Sequence, residues 1–501
     1  MSNTILHIPA MPEAETVSPD FTAKANGLNL PIRYIRVTAI PFNTWWPGHQ
    51  RPKDQTEFAS YTNFSLDGKA EIEVVCHTKK IESVEIKPTA FGIVPNIDGQ
   101  KISFTVDKPC HFTVEVNGWH NCLHVFVSSP ENYGVDINDK DVIYFGPGVH
   151  KAGLIEVKSG QTVYVDESAL VYGSVFAKDA ENIKVLGRGV IDSSPYKRIQ
   201  EYTDSDAEGE EILSELKKRN VSRGIGNVLM IDCKNVLIDG LVFRDPPEWS
   251  YNIYHCENVR INDVKLIGLW RYNADGIDIY LGKNFEITGS FIRSFDDSII
   301  ARGACGASDE DIFENMLTQN CVLWCEWGRA IEIWTSQRTS HMKDIFFKDC
   351  YIIRVAHVAM DIQIYRSGPT YIDNVVCENI YVDTDRHADR PIYQKQENQI
   401  YEKRYDDDYM PILFFIGNAY EFDKPLNPLG FPADVNYTNV TFRNIHVTGH
   451  RMPQSILKTI PGHMRIENVS FDGIYLGDKR FESFDDMNIF IGSDAKNVTL
   501  S

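Results

Sequence analysis

Between Tyr272 and Gly303 the chain reads YNADGIDIYLGKNFEITGSFIRSFDDSIIARG, and within this stretch Asp275 stands 21 residues before the pair Asp296-Asp297. Carboxyl groups are what cleaves acetals: a protonated one gives its proton to the leaving oxygen, and an ionised one activates water. The division of labour needs the pKa values of such groups to be driven apart, which happens when like charges are held close together. Three acids spaced by one repeating unit meet if that unit is a coil of a parallel β-solenoid, because neighbouring strands lie about 4.8 Å apart. The surrounding chain must then be built of such coils.

It carries the repeat that this requires. A nine-residue phrase recurs as Asn182 IKVLGRGV, Asn235 VLIDGLVF, Asn258 VRINDVKL, Asn284 FEITGSFI, Asp344 IFFKDCYI, Asn374 VVCENIYV, Asn439 VTFRNIHV and Asn468 VSFDGIYL, with spacings as short as 23 and 26 residues. Strand-like phrases at that interval, with no helical pattern between them, predict a parallel β-helix whose coils bury apolar residues against one another. The leading Asn or Asp suits a turn residue in the left-handed region, repeated as an amide ladder.

Between these phrases runs a second strand family: Asp275 GIDIYL, Asp297 SIIARG, Arg329 AIEIWT, Val358 AMDIQI and Met410 PILFFI. Aligned on their first residues, Ile277/Ile279, Ile299/Ala301, Ile331/Ile333, Met360/Ile362 and Ile412/Phe414 fall on the core side. Asp278/Tyr280, Ile300/Arg302, Glu332/Trp334, Asp361/Gln363 and Leu413/Phe415 then face outward. Asp275 and Asp297 become equivalent residues of successive rungs, and Asp296 projects differently from the same turn. As isolated pairs, Asp-Gly and Asp-Asp are ordinary turn residues. Here Asp278, Arg329, Glu332 and Asp361 join the same sheet, and five of the eight Trp (Trp249, Trp270, Trp324, Trp327, Trp334) lie in this region, where sugars could stack on their faces.

The rest of the chain frames this sheet. Residues 1–28 are polar and predicted to form an arm; 29–140 hold short alternating runs (YIRVTAI, AEIEVVCHT, KISFTVD, HFTVEVNG, LHVFVSS) broken by turn signals, the pattern of an antiparallel β-sandwich. From 141 to 501 the β-helix follows, interrupted by insertions near 194–224, with a short helix expected around 210–219, and near 384–437. Long loops leaving a rigid solenoid wall its binding face. Trp45-Trp46 could reach across from the sandwich or anchor it.

Composition excludes other classes. Fifty Lys and Arg against 70 Asp and Glu give a net charge of −20, with no basic run able to track a phosphate backbone, so nucleic acid is not an expected partner. No apolar stretch approaches the roughly 20 residues that span a bilayer, so neither is a membrane. The opening residues lack the charged and apolar regions of a secretory signal, and ten scattered Cys read as reduced thiols, which together suggest a cytoplasmic protein. A chain already trimmed of a signal would read the same. Cys233 and Cys256, one repeat apart, are expected to stack in the core, and Cys321 and Cys325 lack the partners of a zinc site.

NADGIDIY followed by SFDDSIIARG resembles the Asp…Asp-Asp pattern of the polygalacturonase family, glycoside hydrolase family 28, and of the related dextranase/isopullulanase family, family 49. NTWW in a leading sandwich, VIYFGPGVH, and NCVLWCEWGRAIEIWTS are more similar to the second. The resemblance implies a β-sandwich followed by a right-handed parallel β-helix, and hydrolysis with inversion in which Asp296 is the general acid, Asp275 and Asp297 hold and activate water, and no cofactor or metal is required. Substrate contacts would come from Asp278, Tyr280, Arg302, Trp327, Arg329, Glu332, Trp334 and Asp361. Polygalacturonases carry Gly-His-Gly and Arg-x-Lys for the galacturonate carboxylate; here Trp327-Gly328-Arg329 occupies the first place and no clear Arg-x-Lys follows, although Arg302, Arg329, Arg354 or Arg366 could substitute. The expected substrate is therefore a neutral α-linked oligo- or polysaccharide, dextran-like, rather than a uronate. Two rivals use the same residues otherwise: a lyase whose carboxylates hold Ca²⁺, for which no Lys base stands among the outward positions, and a non-catalytic sugar-binding β-helix, which would not need the acids.

Overall fold

The computed structural model describes residues 4–38, 53, 56–198, 225–303, 312–335, 341–364, 370–384, 410–418, 435–460, 462 and 464–501. Among them no α-helix occurs. The helix expected near 210–219, Trp45-Trp46, Arg366 and most of the 384–437 insertion lie outside the described residues.

Among the described residues, two sheets of six and five strands form the N-terminal unit. Their strands pair antiparallel except where Leu123–Ser128 runs parallel to Glu57–Asp67. Alternation places Phe64, Phe112, Val114 and Val125 of one sheet against Phe21, Ile72, Val74 and Phe104 of the other in one apolar core, which makes the pair a sandwich. The segment expected as an arm is not free of it. Ile5–His7 pairs with the Glu57–Asp67 strand and Phe21–Ala25 with Ala70–Cys76, because both carry inward-facing apolar residues that the sheets can bury.

From Val142–Phe145 to Ala495–Leu500 the described residues form 28 strands of one continuous sheet wound on itself, whose rungs stack in parallel except where Lys479–Arg480 turns back antiparallel on Met464–Leu476. The coil has three faces. One is the phrase ladder, in which Ile183, Val236, Val259, Phe285, Met316, Ile345, Val375, Val440 and Val469 succeed one another rung by rung. The leading residues adopt positive φ, from 55° at Asn374 to 63° at Asn284, which asparagine tolerates better than other chiral residues. Their amides form the expected ladder: Asn235 donates to Asn182 (3.0 Å), Asn258 to Asn235 (2.9 Å) and Asn284 to Asn258 (2.8 Å). Two further rungs, Asn315 and Asn497, belong to the same series. Cys233 and Cys256 do stack in the core, with the Cys233 N–H 3.4 Å from Cys256 Sγ.

The second face carries the sandwich. Leu170, Val190, Val242, Phe291, Val322 and Trp324 of the coils share a cluster with Val37, Tyr61, Trp119 and Phe126. Charges buried there are paired: Arg244 bonds Asp192 at 2.5 Å and Glu15 of the sandwich at 2.8 Å, and Arg293 bonds Glu326 at 2.8 Å. The third face holds the acids.

Asn258 both donates to Asn235 and accepts from Asn284 while sitting at φ 57°. Asn258→Ala should therefore lower unfolding free energy by about 1–3 kcal/mol, and Asn258→Gly by less, because glycine removes the backbone part of the cost. Denaturant titration measures this; a loss below about 0.5 kcal/mol in the alanine variant would deny the ladder a stabilising role.

Candidate active site

The third face is assembled from Tyr251–Asn262, Ile277–Thr288, Ile299–Arg302, Arg329–Thr335, Val358–Ile364 and Ile412–Asn418. Ile277, Ile299, Ile331, Met360 and Phe414 stack inward on successive rungs. Sequence alignment had paired Met360 with Ile412; the structure pairs it with Phe414, a slip of two residues that keeps Phe414 inward, while Leu413, expected outward, joins the core and Ile412, expected inward, packs with Val358 and Phe415. Outward, one row runs Asn252, Asp278, Ile300, Glu332, Asp361, Phe415, and a second runs Tyr254, Tyr280, Arg302, Trp334, Gln363.

Asp275 and Asp297 stand in the turns just before two consecutive rungs, and Arg329 opens the rung that follows. Backbone bonds continue the ladder through them: Gly276 N–H to Asp297 O (2.8 Å) and Ser298 N–H to Arg329 O (2.8 Å). Asp296 comes from the same turn as Asp297, and both carboxylates converge on Gly328. A β-carbon built there would lie 2.3 Å from Asp296 Oδ1 and 2.2 Å from Asp297 Oδ1, so glycine is required by space. Of the three acids, Asp296 is the most open at 9% exposure, against 6% for Asp297 and 1% for Asp275.

Two guanidinium groups hold the acids. Arg302 bonds Asp275 at 3.0 Å and Asp278 more closely still, and stands 3.9 Å from Asp297. Its cation lies between Trp249 and Trp334, 4.5 and 4.9 Å from their ring centres, with Tyr280 at 5.6 Å. Arg329 donates its backbone N–H to Asp297 Oδ1 (2.7 Å), and its side chain reaches Asp361 (3.2 Å), Glu332 (3.7 Å) and Asp297 (3.7 Å). Gln363 donates to Glu332 at 2.5 Å, and Asn273 to Asp275 at 3.1 Å.

Burial raises the Asp275 carboxyl well above its ordinary range, and the nearby Asp278, Asp296 and Asp297 charges raise it further against the pull of Arg302. Glu332 is likewise pushed well up by burial and by Asp297. Asp361 is pushed up to about 7, chiefly by burial, although Arg329 opposes this. The face thus gathers carboxyl groups whose hold on a proton is strengthened by burial and by one another's charge, as acid–base work requires.

The structure brings Asp275, Asp278, Tyr280, Asp296, Asp297, Arg302, Arg329, Glu332, Trp334 and Asp361 together on this face. Trp327 packs instead with the apolar core of the coil. Two other tryptophans expected near sugar serve elsewhere: Trp324 is wholly buried under the sandwich against Arg293 and Trp119, and Trp270 bonds Asp245 beside Arg36 of the sandwich. Their aromatic character was readable, but the face they occupy depends on where the sandwich docks. Gly328 and Asn273 were missed. Only their places in the turns beside the acids could have signalled them.

The model of the family described as Glycosyl hydrolases family 28 matches residues 145–397, the coils that carry all these acids. The chain belongs to glycosyl hydrolases family 28. This family 28 chain is also similar to an isopullulanase of Aspergillus niger, 23% identical over 366 residues that cover 64% of this chain and 61% of the relative, so it spans about three fifths of that protein's length. Dex49A from Penicillium minioluteum shares the fold, with a TM-score of 0.63 at 12% identity, covering 99% of this chain and 96% of that one.

An acid that keeps its proton on folding makes stability fall as pH rises from its unfolded value toward its folded one. For Asp361 that window runs from about 4 to about 7. Asp361→Asn should therefore lose less Tm than the parent between these pH values; parallel Tm-against-pH curves would contradict the assigned shift. Gly328→Ala should displace both Asp296 and Asp297 and cost about 1–3 kcal/mol of stability, and a crystal structure showing both carboxylates unmoved would refute the steric argument.

Proposed function

We propose that this protein is an O-glycoside hydrolase that cleaves a neutral α-linked glucan with inversion. The observation that carries this is the balance of charge on the third face: Asp275, Asp278, Asp296, Asp297, Glu332 and Asp361 crowd around Arg302 and Arg329, and both cations already bond those acids. A uronate would lay its carboxylate against like charge, where the cations that the described residues bring to this face, Arg302 and Arg329, already bond its acids. Arg354, another candidate for that task, is committed to Glu115 of the sandwich at 3.3 Å. The missing Gly-His-Gly and Arg-x-Lys and the likeness to an isopullulanase support the same substrate class.

Asp296, the most open acid, protonates the leaving oxygen. Asp297, fixed by the Arg329 N–H and flanked by two guanidinium groups, takes the proton of the attacking water. Asp275, which keeps its proton in the free protein, holds that water by a hydrogen bond. Arg302, clamped by Trp249 and Trp334, positions Asp275 and Asp278. The coil is taken as right-handed, as nearly all parallel crossovers are.

Asp296→Asn should cut turnover roughly 10²–10⁴-fold with Tm unchanged, and proton NMR of the first product should show the anomer opposite to the substrate's. Near-normal turnover in the variant would remove Asp296 from its role, and a product of retained configuration would remove inversion.

A further inference from the structure

A second feature lies away from the acids. Where the sandwich docks on the β-helix, a cavity of about 450 Å³ opens between them. One wall is apolar, made by Phe91 and Val127 of the sandwich with Val322 and Tyr351 of the coils. The Phe91 and Tyr351 rings meet edge to face, 4.8 Å between centres. The charged groups lining it balance, Lys108 and Arg188 against Glu131 and Asp263, and Arg188 bonds Asp263 at 2.6 Å.

His111, 6% exposed, also lines this space. Its Nε2 stands 2.8 Å from Asp263 Oδ1, and its Nδ1 has no hydrogen-bond partner among the described residues. Burial pulls the imidazole below its ordinary pKa, so at neutral pH the ring is neutral. Nε2–H then donates to the carboxylate, and Nδ1 is left with an unsatisfied lone pair. A lone pair and balanced charges do not suit an anion, and Asp263, already bonded by Arg188, Lys265 and His111, is no free partner for a cation. A neutral ring with an apolar face and a rim of hydroxyl groups matches both walls.

We propose that this cavity is a second saccharide site, taking a short neutral sugar on the same coils as the acids but a different face. Gly289, which lines it, follows directly on the strand Ile277–Thr288 that begins beside Asp278. The site would hold one part of a long glycan while another part occupies the acids. It rests on the proposed function only for the choice of sugar.

The test uses the full chain. Gly289 has φ 56°, and a β-carbon there would meet only Asn262 Oδ1, at 3.9 Å, so asparagine fits its backbone and fills the cavity. Calorimetric titration with isomaltose is expected to give two sites in an Asp296→Asn chain and one in Asp296→Asn/Gly289→Asn. With Asp296 intact, Gly289→Asn should raise KM for a polymer several-fold and leave turnover of a short substrate unchanged. Crystals of the Asp296→Asn chain soaked in isomaltose should show sugar beside His111, which needs no variant in the cavity. Equal stoichiometry with and without Gly289→Asn, or soaked crystals with water alone in the cavity, overturns the proposal. Glucose, which has no bond to cut, separates the readings: its binding in the cavity stands or falls independently of whether Asp296→Asn stops hydrolysis.

Discussion

Repulsion between stacked carboxylates is the constraint around which this molecule is arranged. A parallel β-helix brings equivalent residues of successive coils to about 4.8 Å, where two ionised acids oppose each other by about 3–4 kcal/mol at an effective dielectric constant near 20. Six acids on one face would be intolerable unless some kept their protons and others gained cations, and both occur. Arg302 and Arg329 sit on neighbouring rungs, and each bridges more than one carboxylate. Their planar, permanently charged groups suit this better than lysine would, and Arg302 also has a slot between two indole rings to fix its plane. The Asp275 carboxyl stays raised first because it is buried and then because of a repulsion from Asp278, Asp296 and Asp297 that Arg302 does not fully cancel.

The sandwich takes part in this arrangement although it lies on another face. Arg293, buried beneath it, contacts His124 and Cys122 of the sandwich at one end and Glu326 at the other. Glu326 leads directly into Trp327, Gly328 and Arg329, where the glycine makes room for Asp296 and Asp297 and the arginine holds Asp297. Docking of the sandwich and geometry of the acids are thus linked through a single turn. This gives a physical reason for the two units to be fused in one chain.

Much of this was readable from residue order because a solenoid is nearly one-dimensional. Period-2 alternation assigns faces, and the interval between phrases assigns neighbours, so Asp275 and Asp297 could be placed on adjacent rungs without coordinates. The reading weakened where the pattern was diluted. Asn315 was overlooked because an inward place in its phrase is taken by Thr318, polar yet wholly buried, and the Asn497 phrase is cut short after Leu500. Strand Ile412–Asn418 was aligned two residues off, since a slip by an even number leaves the alternation unchanged and a run of apolar residues offers no other marker of register. What no pattern could show was satisfaction: alternation turned Arg302 and Arg329 outward, where they looked available to a uronate, but their commitment to the chain's own acids follows from side-chain geometry alone. Trp249 and Trp334 do reach the acidic face, but Trp270 and Trp324 misled as signals, because composition does not say which face another unit covers.

The claim that a carboxylate-rich face with committed arginines acts on neutral sugar is tested most directly by offering the full chain a neutral α-glucan and polygalacturonate side by side and measuring new reducing ends. Release from the glucan alone is the predicted result. Release from polygalacturonate, with the glucan untouched, would contradict it.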